Sequence, residues 1–110
     1  MTVNELIRVL NATPACVPDG EAIVSGGYAG DLLSYVMGRA PSGAAWFTIM
    51  TNVNVCAVAT LTEVAVVVIC DGCKPDEPLV NSAKTRGVNV ICTDLDVFHA
   101  IERVNDANQL

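Results

Sequence analysis

The sequence predicts an α/β fold: one domain over residues 1–110, built on a single small, open, mostly parallel sheet flanked by helices. Three observations carry that prediction. Segments of helical and strand period alternate along the chain, and the second half reads strand–helix–strand–helix. Ala65 to Ile69 is apolar without polar alternation, the pattern of a strand covered on both faces. Short breaks rich in Pro, Gly and Asp separate the periodic segments, with no repeat, linker or low-complexity tract between them. Parallel strands of this kind are joined by right-handed crossovers, and ligands bind at the strands' carboxyl ends.

The elements follow in order. Val3, Leu6, Ile7 and Leu10 fall on one helical face, and Thr2 with Glu5 supplies a capping box. Pro14 and Pro18 bracket a short extended piece that ends in the turn Asp19-Gly20. Ala22-Ile23-Val24 reads as a strand that breaks at Ser25-Gly26-Gly27. A helix over about Asp31 to Met37 then presents Leu32, Leu33, Val36 and Met37. Pro41-Ser42-Gly43 is a turn, and Ala45 to Ile49 a strand in which Trp46 and Phe47 face opposite sides. One of those two rings is expected in the core, the other under a helix or a dimer interface.

Asn52 to Thr60 reads as a buried helix of small residues, although its valines suit a strand equally. Asp76 to Arg86 is a helix capped by Asp76, with Pro78 in its first turn, Lys84 and Arg86 near its end and Gly87 as its stop. Val88 to Ile91 is the next strand. Thr93 and Asp96 open a last helix carrying Leu95, Phe98, Ile101 and Val104, and Asn105 to Leu110 is expected to be a loose tail.

The chain is 52% hydrophobic and only 16% charged, which excludes disorder and requires a heavily buried core. No apolar run approaches the roughly 20 residues of a membrane span. The start Met1-Thr2-Val3-Asn4-Glu5 lacks a basic region ahead of an apolar core, so a cytoplasmic location is expected rather than secretion. Net charge is −6 and the six basic residues are scattered, which argues against nucleic acid and against an anionic membrane as partners. An odd count of five cysteines argues against a disulfide framework. So apolar a small domain with so few charges is expected to self-associate as a homodimer.

The candidate ligand residues are Gly26, Gly27, Asp31, Ser34, Asn52 and Asn54. Ser25-Gly26-Gly27 after a strand and ahead of an acidic helix start is either a tight packed turn or a loop whose bare N–H groups meet a polar ligand. It matches neither dinucleotide nor phosphate-loop spacing and holds no Lys or Arg. Asn52 and Asn54 either cap a helix or hydrogen-bond a base or ribose. If their strands are neighbours, the Gly26 and Asn52 turns share one edge and one cleft. Cys70-Asp71-Gly72-Cys73 is half a metal site; with Cys92 three thiols would converge if the two strands pair, and otherwise they are ordinary buried cysteines and a loop thiol. His99, the sole histidine, sits at helical spacing from Glu102 and Arg103 as a surface residue. No acid–base–nucleophile set is visible, so no catalytic residue is assigned and a non-enzymatic role is expected.

The segments Val24 to Ser34, Val36-Met37, Ala45 to Ile49, Asn54, Pro75-Asp76-Glu77 and the strand from Gly87-Val88 to Thr93 together resemble the DRTGG domain. In length the chain is similar to stand-alone bacterial and archaeal members. Of the naming motif only Gly26 and Gly27 stand, preceded by Ile23-Val24-Ser25, and the histidine common near Asn52 in the stand-alone branch is missing. The resemblance implies an open α/β sheet like the N-terminal domain of HPr kinase and the uridine-binding domain of some Mur ligases. It implies a regulatory module, since such domains sit in inserts of CBS-containing pyrophosphatases that bind adenine nucleotides and dimerise, and in fusions with phosphotransacetylase-like domains. It also implies a rival role as accessory subunit of a hydrogenase-type redox complex, and the thiols Cys70, Cys73 and Cys92 themselves offer a second rival, a cysteine-based metal or redox protein. No cofactor is implied beyond an adenine nucleotide as ligand.

Overall fold

The computed structural model describes residues 1–108. Among these, five strands and five helices follow in the order α1 (Val3–Leu10), β1 (Thr13–Cys16), β2 (Gly26–Ala29), α2 (Leu33–Arg39), β3 (Ala44–Thr48), α3 (Asn54–Thr62), β4 (Val66–Ile69), α4 (Glu77–Arg86), β5 (Val90–Cys92) and α5 (Val97–Asn108), alternating from β2 onward. They build one sheet in the order β1-β5-β4-β3-β2. β2, β3, β4 and β5 are mutually parallel and β1 runs antiparallel against β5. The α/β class and the mostly parallel open sheet are as the sequence predicts.

Local signals explain the helix ends. The Thr2 hydroxyl accepts from the Glu5 amide while the Glu5 carboxylate accepts from the Thr2 amide, closing a capping box on α1. Asn11 ends that helix in the left-handed region at φ 49°. Asp76 caps α4 by accepting from Leu79 N, and Gly87 at φ 71° stops it.

Burial then follows strand alternation. Trp46, Val67, Ile69, Val90 and Cys92 face one side, where Val36 of α2, Val55, Cys56 and Ala59 of α3, and Leu79 and Ala83 of α4 cover them. Ala45, Phe47, Val66, Val68 and Ile91 face the other side, under Val3, Leu6 and Leu10 of α1 and Ala100 and Val104 of α5. Every residue of β3, β4 and β5 is buried, so the unbroken apolar reading of Ala65 to Ile69 holds. Trp46 and Phe47 face opposite sides and both are buried, Phe47 under α1 and α5, which is the first of the two alternatives, helix or dimer interface, expected for the second ring.

Three elements differ from the sequence reading. Ala22-Ile23-Val24 is not a strand: Ile23 makes an isolated bridge with Thr2, and Val24 N donates to Met1 O at 2.8 Å. The strand is Gly26–Ala29 itself, and the bend into α2 falls at Gly30-Asp31-Leu32. At the chain's end α5 stays helical through Asn108, so residues 105–108 are not a loose tail; the rest of that expectation lies outside the described residues.

The loop ahead of β2 is held by one buried amide. Asn89 Oδ1 accepts from Asp19 N, and Asn89 Nδ2 donates to Asp19 O at 2.8 Å and Ala65 O at 2.9 Å. Asn89 is 4% exposed, and these partly buried bonds tie the 17–22 loop to the start of β4.

Candidate ligand site at the carboxyl edge

Four parallel strands end along one rim, and their following turns carry the polar residues. β2 ends into Gly30-Asp31. Here Asp31 Oδ1 accepts from the Thr48 hydroxyl at 2.7 Å and from Ile49 N at 3.0 Å, tying the turn after β2 to the end of β3. Thr48 is fully buried and its oxygen also accepts from Met50 N. Trp46 Nε1 donates to Gly30 O at 2.9 Å, so the indole braces the same turn from beneath. Asp31 itself is exposed, which leaves its carboxylate fixed in place and open to solvent.

The next turn, after β3, contains Thr51 and Asn52. Asn52 Oδ1 accepts from Asn54 N at 2.9 Å, the helix-start role that was one of its two sequence readings. Thr51 O accepts from Asp76 N, which links this turn to the cap of α4. Asn54 is the first residue of α3 and Ser34 the second of α2, both exposed. After β4, Asp71 N donates to Leu95 O and Gly72 N to Thr93 O, so the turns after β4 and β5 are joined too. Asp71 and Gly72 both take positive φ, 62° and 70°.

The six sequence candidates therefore divide. Asp31, Asn52 and Asn54 line the carboxyl rim with Ser34 one turn into α2. Gly26 and Gly27 pair with Ala44 and Ala45, at the amino end of β3, and lie at the opposite end of the sheet. The shared cleft expected for the Gly26 and Asn52 turns is not formed, because the glycines are strand residues and not the bend. They border a different feature, an apolar groove of about 350 Å³ between β2 and α5, walled by Phe47, Ile101, Val104 and Asn105.

The thiols do not converge. The register sets Cys92 beside Ile69, one residue short of Cys70. That offset turns Cys70 toward the α1/α5 core and Cys92 toward the other, where Cys73 also packs. Burial, and then the charges of Asp71 and Asp96, push the Cys70 thiol up to about 12. Burial raises Cys92 and Cys16 as well. Among the described residues no group of three His, Cys, Asp or Glu side chains is placed to hold a metal ion. His99 pairs with Asp96 instead of Glu102, and that hydrogen bond holds the Asp96 carboxyl below its usual range.

Thr48 and Trp46 are the two site residues that sequence reasoning missed. The signal for Thr48 was a single hydroxyl at the end of an otherwise apolar strand, where a buried oxygen must find a partner.

Residues 47–107, more than half of the chain, match the DRTGG domain. No curated protein matches the sequence significantly. Among solved structures, the chain is similar to the CBS and DRTGG domains of the regulatory region of Clostridium perfringens pyrophosphatase, complexed with the activator diadenosine tetraphosphate. The TM-score is 0.76 at 14% identity, over 94% of this chain, and this chain spans 45% of that one.

Proposed function

This chain belongs to the DRTGG domain family, and on that footing we propose that it is a non-enzymatic regulatory domain that senses an adenine-bearing ligand and works as a homodimer. The observation that carries the ligand reading is the Asp31 carboxylate, exposed yet held by Thr48 and Ile49 at the end of two parallel strands. Such an acceptor suits the exocyclic amine of a base or a ribose hydroxyl. Asn52, Asn54 and Ser34 add amide and hydroxyl partners on the same rim. The similar pyrophosphatase region was solved with a dinucleotide activator, which supports this class of ligand.

The rim's charge narrows the choice. Asp31, Asp71 and Asp94 follow three of the four parallel strands, and Lys74 after β4 is the one base in these turns, with no Lys or Arg in the Asp31 or Asn52 turn. The acidic excess disfavours free phosphates beside Asp31, so the site favours a ligand of low charge, or one whose phosphates carry a magnesium ion. Gly26 and Gly27 drop out of the ligand set in this reading, being at the far end of the sheet. Five unpaired cysteines suit a reducing cytoplasm.

Calorimetry with adenosine, AMP, magnesium-ATP and diadenosine tetraphosphate tests the proposal. Trp46, the only tryptophan, touches the Gly30 turn and gives a fluorescence readout of the same event. Binding by at least one ligand that disappears in Asp31→Ala supports the reading; neither heat nor a fluorescence change with any of the four removes it.

One observation favours a second reading, the accessory subunit of a redox complex. Leu32, Tyr35 and Met37 on and beside α2 are each half exposed or more. A larger partner retained through purification from the native host would support that role, and a stable isolated dimer speaks against it.

A further inference from the structure

The two edges of the sheet are unlike. β1 carries Pro14, a register irregularity between Pro14 and Cys16, and α4 packed against it. These are the devices that stop an edge from pairing with another chain. β2 has none of them: Gly26-Gly27-Tyr28-Ala29 holds no proline, no charge and no bulge. Its free backbone groups can be assigned. Gly30 N donates inward to Phe47 O at 3.1 Å, so alternation turns Tyr28 and Gly26 inward and leaves the N–H and C=O of Gly27 and Ala29 pointing out. Gly27 and Ala29 are also the exposed residues of the strand.

We propose that β2 pairs antiparallel with β2 of a second copy about a two-fold axis at Gly27, making one continuous ten-stranded sheet. This rests on the homodimer reading above and assigns its surface. The strand is self-complementary in that register. Gly27 meets Gly27 of the other copy as a hydrogen-bonded pair, and Ser25 lies opposite Ala29 with its own amide already donated inward to Gly43 O at 3.0 Å. Between them each Gly26 lies opposite a Tyr28 on the same face. A Cβ at Gly26 would find no atom within 4 Å, so the space beside it is free for the ring. An aromatic side chain across from an edge glycine is the pairing that best restores a strand weakened by that glycine. Centring the axis on Tyr28 instead would set ring against ring and glycine against glycine.

The helical layer agrees. α2 contacts α3, α3 contacts α4, and α4 contacts β1, so α2 is the outermost helix on the β2 side. Its neighbourhood exposes Leu32 at 60%, Tyr35 at 52% and Met37 at 50%, apolar surface beside the proposed seam. An isologous contact of this kind closes at two copies and leaves the protected β1 edges outermost.

Two variants and the parent chain test this, all carrying Cys73→Ser to remove the half-buried loop thiol. Gly27→Cys places a Cβ at ordinary contact distance, 3.7 Å from Ala45 O and Phe47 Cε1, so the strand accepts it. Across the axis the two Cα atoms stand about 5.5 Å apart, within disulfide range, and mild oxidation with diamide should cross-link the pair. Ala29→Cys should not cross-link, because the two sites lie about 14 Å apart along the strands. Separately, Gly26→Lys should leave the circular dichroism spectrum of the folded domain unchanged and weaken the dimer about tenfold or more in sedimentation equilibrium.

A parent chain that is monomeric at every soluble concentration overturns the homodimer reading together with this one. A parent dimer that neither cross-links at position 27 nor responds to Gly26→Lys overturns the β2 seam alone and leaves the dimer standing. Equal cross-linking at 27 and 29 overturns the register. Should Gly27→Cys fail to fold, the response to Gly26→Lys still decides the seam, since a Cβ at that position meets nothing within 4 Å in its own chain.

Discussion

Asp31 and Thr48 close the edge of the sheet together: the buried threonine hydroxyl donates to the exposed carboxylate at 2.7 Å across the ends of β2 and β3. Neither residue is placed by its own element alone. Thr48 is positioned by a strand with no solvent-facing side, and Asp31 by the turn that this hydroxyl and the Ile49 amide hold. Asp31→Ala should therefore lower stability by about 1–2 kcal/mol, the net worth of two charge-assisted bonds at a partly wetted site. Asp31→Asn keeps an acceptor oxygen and should lose about half as much. Urea unfolding followed at Trp46 measures both; equal losses for the two variants would mean that the carboxylate's charge, and not its geometry, holds the turn.

Asn89 should be far less tolerant. Its amide meets Asp19 N, Asp19 O and Ala65 O from a buried position; Asn89→Ala removes all three bonds and leaves Asp19 O only the longer one from Ala22 N at 3.3 Å. The expected loss is about 3 kcal/mol. Hydrogen exchange should show the change concentrated in the 17–22 loop and the start of β4. A loss below that of Asp31→Ala would show that water replaces the amide without penalty.

How far the sequence could be read depends on which signals are local. β4 was legible because Val66 to Ile69 has no polar residue to place outward, and α1 and α4 because their caps lie within three residues of the helix. The Gly26-Gly27 segment misled because a glycine pair is the usual mark of a bend. At a sheet edge, with one neighbour only and an open groove on one face, glycines cost a strand less. Asp31 could be picked out as an acid at a helix start. Its partner could not, since the β2–β3 register that brings Thr48 to it is set by pairing and not by sequence distance. The cysteines show the same limit: a single-residue offset between β4 and β5 separates Cys70 and Cys92 onto opposite faces.

The buried thiols should make the fold less stable at alkaline pH. Cys70, raised to about 12, keeps its proton in the folded state, whereas unfolded it would titrate near 8.5. Between those values the folded state binds the extra proton, so stability is fully present below roughly pH 8.5 and falls steadily as pH rises toward 12. Cys92 and Cys16, also raised by burial, act in the same direction. Cys70→Ala should flatten the alkaline limb of a plot of stability against pH. At pH 8 a thiol reagent should label Cys73 first and reach the four buried cysteines only after urea; fast labelling of Cys70 in the folded protein would contradict this.

Gly43 should be the most sensitive glycine. It takes φ +79°, and an added Cβ would lie 2.6 Å from Ser25 Oγ, while its carbonyl accepts from Ser25 N at 3.0 Å to begin the β2–β3 pairing. Two separate penalties thus fall on Gly43→Ala, the left-handed backbone and the clash, together about 2–3 kcal/mol. They can be told apart. Ser25→Gly removes the clashing oxygen but leaves the backbone angle, so in the double variant only the steric part should return. Because this contact anchors β2, the single variant should also weaken any assembly through that strand, more than its loss of stability alone would require. A double variant no more stable than Gly43→Ala would place the whole effect on the backbone angle.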